Sequence, residues 1–356
     1  MERQGYLVLE SGAVFSGTWL GGKPQAGEVV FNTSHSGYEE MATDPSYFSQ
    51  ILVTTAPMQG NYGESDEVWE SGNLSIRGFV CLEIQNSDRD MSWKEKLIEK
   101  GVPVMEEVDT RRLVIQLREQ GTVWGAMVSA DSEAEARAQA HPLISQAKEG
   151  DPDWVFQMTC KEAYDLQGEV PGGPRLAVLD FGCKTNILRE LRQRCSQLRI
   201  FPSRTSGQEI RDWSPDGIML SNGPGNPSDV QIAVETVREL LGWRFIFGIC
   251  MGHQILSLAL GANTYKLKFG HRGSNHPIRD DLLKTIYVTS QNHGYAVDGE
   301  TLPEGVRVTH VNLNDNTVSG IQCEAKKCMS VQFHPESHPG PHDAVALFDY
   351  FVKQLV

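Results

Sequence analysis

No apolar run in this 356-residue sequence reaches the ~20 residues that a membrane-spanning helix requires. The most apolar stretch, 245–262, is interrupted by Gly248, Gly252, His253 and Gln254, which a bilayer penalises. A secretory leader is also lacking: after Met1-Glu2-Arg3-Gln4-Gly5 only 6–9 is apolar, too short for a signal-peptide core, so secretion is not expected. Cysteine is scarce. The seven, at 81, 160, 183, 195, 250, 323 and 328, are odd in number and mostly set in apolar surroundings, as expected of reduced thiols in a cytoplasm. A basic surplus is missing too, with 32 Lys+Arg against 46 Asp+Glu and a net charge of −14. Residues 1–174 hold 13 basic and 28 acidic side chains, and 175–356 hold 19 and 18. Neither half has the positive excess that binding a phosphate backbone needs, so nucleic acid is not an expected partner. There is no Gly-x-x-x-x-Gly-Lys-Ser/Thr phosphate loop, no evident kinase-like nucleotide site, no internal repeat and no low-complexity tract.

What is present reads as a folded α/β protein, and at about 150 residues per domain the length suggests two domains. In 1–150, short strand-like runs at 6–9, 13–17, 28–32, 51–55 and 78–84 are bounded by Gly, Ser or Asn turn signals. Helical periodicity appears at 92–100 and at 111–120, the latter carrying Leu113, Ile115 and Leu117 with a Gly121 stop. This predicts a mixed, β-rich α/β N-terminal domain. The stretch 151–174, with Pro152, Pro171, Gly172, Gly173 and Pro174, reads as a linker. From 175 to 356 short apolar runs (176–179, 198–201, 217–220, 245–249) alternate with helical segments (185–194, 230–241, 254–260). Further strands at 286–290, 306–310 and 328–333 precede a C-terminal helix near 344–352. Strand–helix alternation predicts a mainly parallel sheet flanked by helices, with ligands at the carboxyl ends of its strands.

The sharpest chemical signal is Phe245-Ile246-Phe247-Gly248-Ile249-Cys250-Met251-Gly252-His253-Gln254. A strand enters a Gly-x-Cys-x-Gly turn and leaves as a helix, which is the nucleophile-elbow arrangement with sulfur in place of hydroxyl. The glycines leave room for a sharp turn that exposes the side chain. At a helix N-terminus the partial positive charge favours the thiolate, and the Met251 N–H can stabilise an oxyanion. The bland alternative is a small buried cysteine beside packing glycines. A thiol nucleophile needs a base, and His334, at the end of the alternating stretch 329–333, has Glu336 two residues further on to fix its tautomer and stabilise its cation. The alternatives are a polar loop histidine and a solvated glutamate.

Cys323, Cys328, His334, His338 and His342 superficially suggest zinc, but Pro335, Pro339 and Pro341 keep the histidines off one helical face, and no metal site is expected. Ser221-Asn222-Gly223-Pro224-Gly225-Asn226-Pro227 follows a strand and exposes amides suited to an oxyanion, or is a plain tight turn. Gln291-Asn292-His293-Gly294-Tyr295 likewise follows a strand and is either a polar binding loop or a turn.

Taken in order, the Gly-Pro-Gly loop, the Gly-Ile-Cys-Met-Gly-His-Gln elbow and Phe333-His334-Pro335-Glu336 resemble the class I (triad) glutamine amidotransferases over roughly 175–356. A peptidase-like cysteine hydrolase shares the elbow without the three spaced motifs. Further segments narrow the resemblance to the small, glutamine-hydrolysing subunit family of carbamoyl phosphate synthetase. In the second half these are 180–189, 268–273, 291–295 and 337–343; in the first, 27–34, 37–38, 43–47, 60–63 and 109–111. That resemblance implies Cys250 as nucleophile, His334 as general base and then acid, and Glu336 as its orienter. It implies the Gly223 and Met251 amides at the oxyanion, Gln254 as a glutamine contact, and Ser46, Gly225, Asn292, Gly294 and Tyr295 around the amino-acid end of the substrate. With Ser46 from the first domain, the family places the glutamine pocket at the domain interface. Asn226 stands where Asp is common in the family and His338 where Ser is common. The implied reaction hydrolyses L-glutamine through a γ-glutamyl thioester. The ammonia passes by an internal tunnel to a separate large subunit that binds ATP and Mg2+ and makes carbamoyl phosphate from bicarbonate, for arginine or pyrimidine biosynthesis. This chain itself would carry no cofactor and would work as the small partner of a heterodimer. The acidic first half would then contribute to docking the large subunit, an association that high salt weakens.

Overall fold

The computed structural model describes residues 3–87 and 92–355. The chain forms two compact units that divide between Asp151 and Pro152.

In the first unit, seven strands among the described residues close into a barrel. Their order is Arg3–Leu9, Val14–Gly21, Val104–Glu106, Gly78–Val80, Gln50–Thr54, Gln25–Asn32 and Val123–Ser129, which pairs back to the first. The short strand Gln50–Thr54 runs parallel to both of its neighbours and is buried along its whole length, which is why it reads as a continuous apolar run rather than an alternation. Closure leaves no unpaired edge, and helix Glu133–Lys148 covers one outer face by laying Ala136, Ala140 and Ile144 against Val8, Ala126 and Val128. The run 78–84, read as one strand, is broken: Gly78–Val80 belongs to the barrel, whereas Glu83–Ile84 pairs with Met58–Gln59. In helix Thr110–Gln120, Leu113 and Leu117 face the core four residues apart, but Ile115 lies on the other side and is 46% exposed.

The second unit is built on a ten-stranded sheet. Its five central strands, Gln197–Pro202, Arg175–Asp180, Gly217–Leu220, Phe245–Ile249 and Cys328–Val331, are parallel. Strand alternation sends Ala177 and Leu179 to one face, under helices Gln231–Leu240 and Met251–Leu260, and Leu176 and Val178 to the other, under Thr185–Arg192 and Ala346–Lys353. Phe247 meets Phe351 at 5.2 Å on that second face, and each such fully buried side chain contributes about 1.5–3 kcal/mol. The expectation of a mainly parallel sheet therefore holds for these five strands and is corrected for the rest. Tyr164–Gln167, Val318–Cys323, Thr285–Val297, Thr264–Asp280 and Arg307–Asn312 all pair antiparallel, and the two longest of them form a hairpin rather than a crossover.

The stretch read as a linker is folded into this unit. Asp153 caps helix Trp154–Met158 and holds Arg204 at 2.9 Å, and Tyr164–Gln167 pairs with Gln197–Pro202 as an edge strand. Its prolines and glycines mark turns between short elements, not an open tether.

Candidate active site

The strand Phe245–Ile249 delivers Cys250 to the N-cap of helix Met251–Leu260, at φ 53° and ψ −101°. An L-residue held at positive φ stores strain that the surrounding contacts must overcome. Here those contacts are backbone to backbone. The Cys250 N–H donates to the Val331 carbonyl at 2.9 Å and the Gly252 N–H to the Ser221 carbonyl at 2.9 Å. A Cβ on Gly252 would lie 2.2 Å from the Leu220 carbonyl oxygen, and one on Gly248 would lie 2.6 Å from the Gly252 oxygen, so both flanking residues must be glycine. The helix begins three residues earlier than its periodicity suggested, because the elbow itself is the first turn.

The Cys250 thiol is 2% exposed and directs its hydrogen to the Asn292 carbonyl, with sulfur 3.6 Å from oxygen. His334 follows strand Cys328–Val331, the parallel neighbour of the cysteine strand, and its backbone N–H donates to the Ser290 carbonyl at 3.0 Å. Its Nδ1 lies 2.7 Å from Glu336 Oε1, which fixes the tautomer and leaves Nε2 for chemistry. That Nε2 has no well-aligned protein hydrogen bond, but the Cys250 sulfur is near enough to act on the charge of the ring. Burial opposes charging the imidazole, yet the Glu336 carboxylate and the Cys250 sulfur outweigh it and hold His334 above the ordinary histidine range.

Glu336 is fully buried and would be driven neutral by desolvation alone. The Lys184 ammonium, 3.2 Å from Oε1, and then His334 hold it below the ordinary carboxylate range instead. Lys184 also donates to the carbonyls of Ser337 and, at 2.7 Å, His338, while Asn186 donates to the Glu336 carbonyl at 2.5 Å. The backbone at Ser337 and His338 has positive φ, 62° and 52°, and these two side chains from the 184–186 turn hold it there. In the sequence Lys184 stands only as part of the segment 180–189. A lysine four residues after a buried strand gives no sign that its ammonium will be buried against a glutamate 152 positions away.

The other expected residues of this unit lie on the elbow helix, the strand Thr285–Val297 and the loop after strand Gly217–Leu220. Gln254, one turn beyond Cys250, donates to the Tyr295 carbonyl at 2.9 Å and to Gln332 Oε1 at 3.1 Å. Asn292 and Gly294 lie on the strand that takes the thiol hydrogen bond. Gly223 is pressed so closely on the Phe181 carbonyl oxygen that a Cβ would sit 2.1 Å from it, and Gly225 adopts φ +89°. The loop carrying both is pinned by Ser221 Oγ accepting from Phe181 N–H and by Asn222 Oδ1 accepting from Lys184 N–H, each at 2.9 Å. Asn226, one of the two departures from the family pattern, caps Pro227–Asp229 through the Ser228 N–H, a task Asp performs equally well. Ser46 belongs to the first unit, where it is buried in the turn Pro45–Tyr47 with its N–H donating to Asp44 Oδ1 at 2.8 Å. Cys323 and Cys328 face each other across strands in the apolar core, whereas His334 is engaged by Glu336. Among the described residues no three His, Cys, Asp or Glu side chains are grouped to hold a metal ion. All seven cysteines are free thiols, and no helix among those residues is long and apolar enough to cross a membrane.

Comparison with known proteins agrees with this geometry. The family profile described as glutamine amidotransferase class-I matches residues 177–354, and that of the carbamoyl-phosphate synthase small chain, CPSase domain, matches residues 7–127. The carbamoyl phosphate synthase small chain of Bacillus caldolyticus is 44% identical over 363 aligned residues, covering 100% of this chain and 97% of its own. Those of Methanopyrus kandleri and Lactococcus lactis are also 44% identical, covering 97% and 98% of this chain and 97% of each relative. With an elbow thiol, an oriented imidazole and likeness along its whole length, the chain belongs to the carbamoyl phosphate synthase small chain family.

Proposed function

We propose that the chain hydrolyses L-glutamine to glutamate and ammonia by way of a γ-glutamyl thioester on Cys250. The observation that carries this reading is the elbow thiol beside an imidazole whose far nitrogen is held 2.7 Å from a buried carboxylate. His334 takes the thiol proton through Nε2, and the sulfur attacks the amide carbon. Negative charge then develops on the amide oxygen, where the Met251 N–H, unsatisfied within its helix at the first turn, and the Gly223 N–H are the donors. As the carbon–nitrogen bond breaks, His334 returns its proton to the leaving nitrogen and ammonia departs. Water, deprotonated by the same imidazole, opens the thioester and releases glutamate, so that one glutamine and one water give one glutamate and one ammonia. Gln254, Asn292, Gly294, Tyr295 and Gly225 are assigned to glutamine binding.

Likeness to small chains supports a large-subunit partner. On this reading the ammonia passes to that subunit, which makes carbamoyl phosphate from bicarbonate with ATP and Mg2+ bound there rather than on this chain. Carbamoyl phosphate serves arginine and pyrimidine biosynthesis, and the soluble chemistry suits a cytoplasmic enzyme. An amidotransferase feeding another synthase, such as one making anthranilate, is disfavoured by the match of residues 7–127, and a retired, non-catalytic module by the intact triad. The test is chemical. A glutamine-mimicking electrophile, such as a diazoketone, is expected to label Cys250 stoichiometrically and to be excluded by glutamine. Labelling elsewhere, or none, would overturn the assignment.

A further inference from the structure

Beneath the triad lies a second buried acid–imidazole pair that the reaction does not use. Asp280, the last residue of strand Thr264–Asp280, is fully buried. Its Oδ1 accepts the N–H groups of Leu282 at 2.6 Å and Leu283 at 3.0 Å, and its Oδ2 lies 3.3 Å from His310 Nε2. The other nitrogen of His310 meets Thr309 Oγ1 at 2.9 Å. Burial and then the same carboxylate push the phenol of Tyr287 up from its ordinary value. His310 and Tyr287 share one neighbour. His310 meets Phe333 at 5.5 Å and 63°, and Tyr287 meets it at 6.5 Å and 47°. Phe333 is wholly buried and immediately precedes His334. The His310 ring also lies close to Gly320, where a Cβ would fall 2.4 Å from Nδ1.

We propose that Asp280 is a positioning residue for the catalytic imidazole: through its buried contact with His310 it fixes a ring packed against Phe333 and so helps set the backbone from which His334 projects. The need for such support follows from where strand Cys328–Val331 ends. Phe333 and His334 lie beyond the parallel ladder, and past His334 the chain turns at Pro335 into the positive-φ residues Ser337 and His338. A bridge to Ser290 ties the His334 backbone. Beyond His334, Lys184 and Asn186 hold the turn at Glu336, Ser337 and His338. Before it, Phe333 and the His310 ring packed on it supply a further fixed point toward the tolerance that proton transfer demands. The pair is a close electrostatic contact in a buried site rather than an aligned hydrogen bond, since neither Asp280 Oδ2 nor His310 Nε2 has a hydrogen-bond partner among the described residues.

The inference rests on the thiol glutaminase reading, and its test separates the two. Asp280→Asn in the full-length chain keeps the volume and removes the charge. With active sites counted by diazoketone labelling, kcat per labelled site is expected to fall about ten- to a hundred-fold with little change in KM, and the pH midpoint of the limb set by His334 is expected to move. Phe333→Leu, which removes the ring that His310 packs against without altering charge, should do the same, so that failure of one variant to fold leaves the other decisive. A merely structural role would reduce the number of labelled sites while leaving kcat per site and the pH profile at wild-type values, and that result overturns the proposal. If instead Cys250→Ser still hydrolyses glutamine, the underlying reading fails, independently of Asp280.

Discussion

Replacing Gly252 by alanine adds one carbon, and the structure states where that carbon must go. It would lie 2.2 Å from the Leu220 carbonyl oxygen and 2.7 Å from its carbonyl carbon. Both are backbone atoms of a central parallel strand, so no side chain can rotate away, and the helix must lift from the sheet by about 1 Å to restore ordinary contact. Two consequences follow. Forcing extra volume into a closed backbone contact costs about 1–3 kcal/mol, which at roughly 2–4 °C per kcal/mol for a unit of this size lowers Tm by several degrees. The same movement separates the Met251 amide, which travels with the helix, from the Gly223 amide, which follows Leu220 by three residues. A misplacement of about 1 Å between groups that act on one oxygen costs about a hundred-fold in rate, so kcat for glutamine hydrolysis should fall far more than the thermal shift alone implies. Gly72→Ala is the control, since a Cβ there meets open space. Thermal melts and steady-state glutaminase assays on the two variants decide the matter. A Gly252→Ala chain with a kcat close to wild type would refute the claim that the elbow's backbone packing sets the oxyanion geometry.

The pH dependence of stability carries a second expectation. Because His334 is held above the ordinary histidine value of 6.5, its contribution is complete below that pH and is lost as pH rises through its raised folded value. The stability difference between wild type and His334→Asn should therefore shrink from pH 6 toward alkaline pH, as followed by thermal melts, and a flat difference would contradict the assignment. Glu336 has the opposite sign. Held below its ordinary value of 4.5, it contributes fully above that pH and loses the contribution as pH falls through its lowered folded value, so Glu336→Gln should flatten the acid side of the profile. Gln254→Ala removes the hydrogen bonds to the Tyr295 carbonyl and to Gln332 Oε1 and should lower kcat/KM for glutamine roughly five- to a hundred-fold, mainly through KM; an unchanged KM would remove Gln254 from the proposed binding site.

Much of the second unit could be read from sequence because its elements are local. The parallel strands are short apolar runs bounded by turn residues, and the elbow is a contiguous motif whose glycines have one physical purpose. Elements whose signal is not apolar were missed. Helix Glu133–Lys148 buries only Ala136, Ala140 and Ile144, spaced four apart, and an alanine face leaves almost no trace in a hydrophobic pattern even though Ser132 caps it. Strand Thr264–Asp280 is rich in Lys, Gly and His, and its register shifts twice against its partner, so neither alternation nor apolarity marks it. Closure of the first unit into a barrel depends on pairing Arg3–Leu9 with Val123–Ser129, more than a hundred residues apart, which no local pattern encodes. Within the active site, Cys250, His334 and Glu336 were visible because each sits in a punctuated motif. Lys184 was not, because its importance comes from a buried contact with a residue far along the chain.

The central claim is that this chain supplies ammonia from glutamine through Cys250 and that its partner does the rest. It is tested most directly by assaying carbamoyl phosphate synthesis in the complex of the Cys250→Ser chain with its large subunit, once with glutamine and once with ammonium as the nitrogen source. The account predicts that glutamine-dependent synthesis is abolished while ammonium-dependent synthesis persists at the wild-type rate. Glutamine-dependent synthesis that survives the substitution would contradict it.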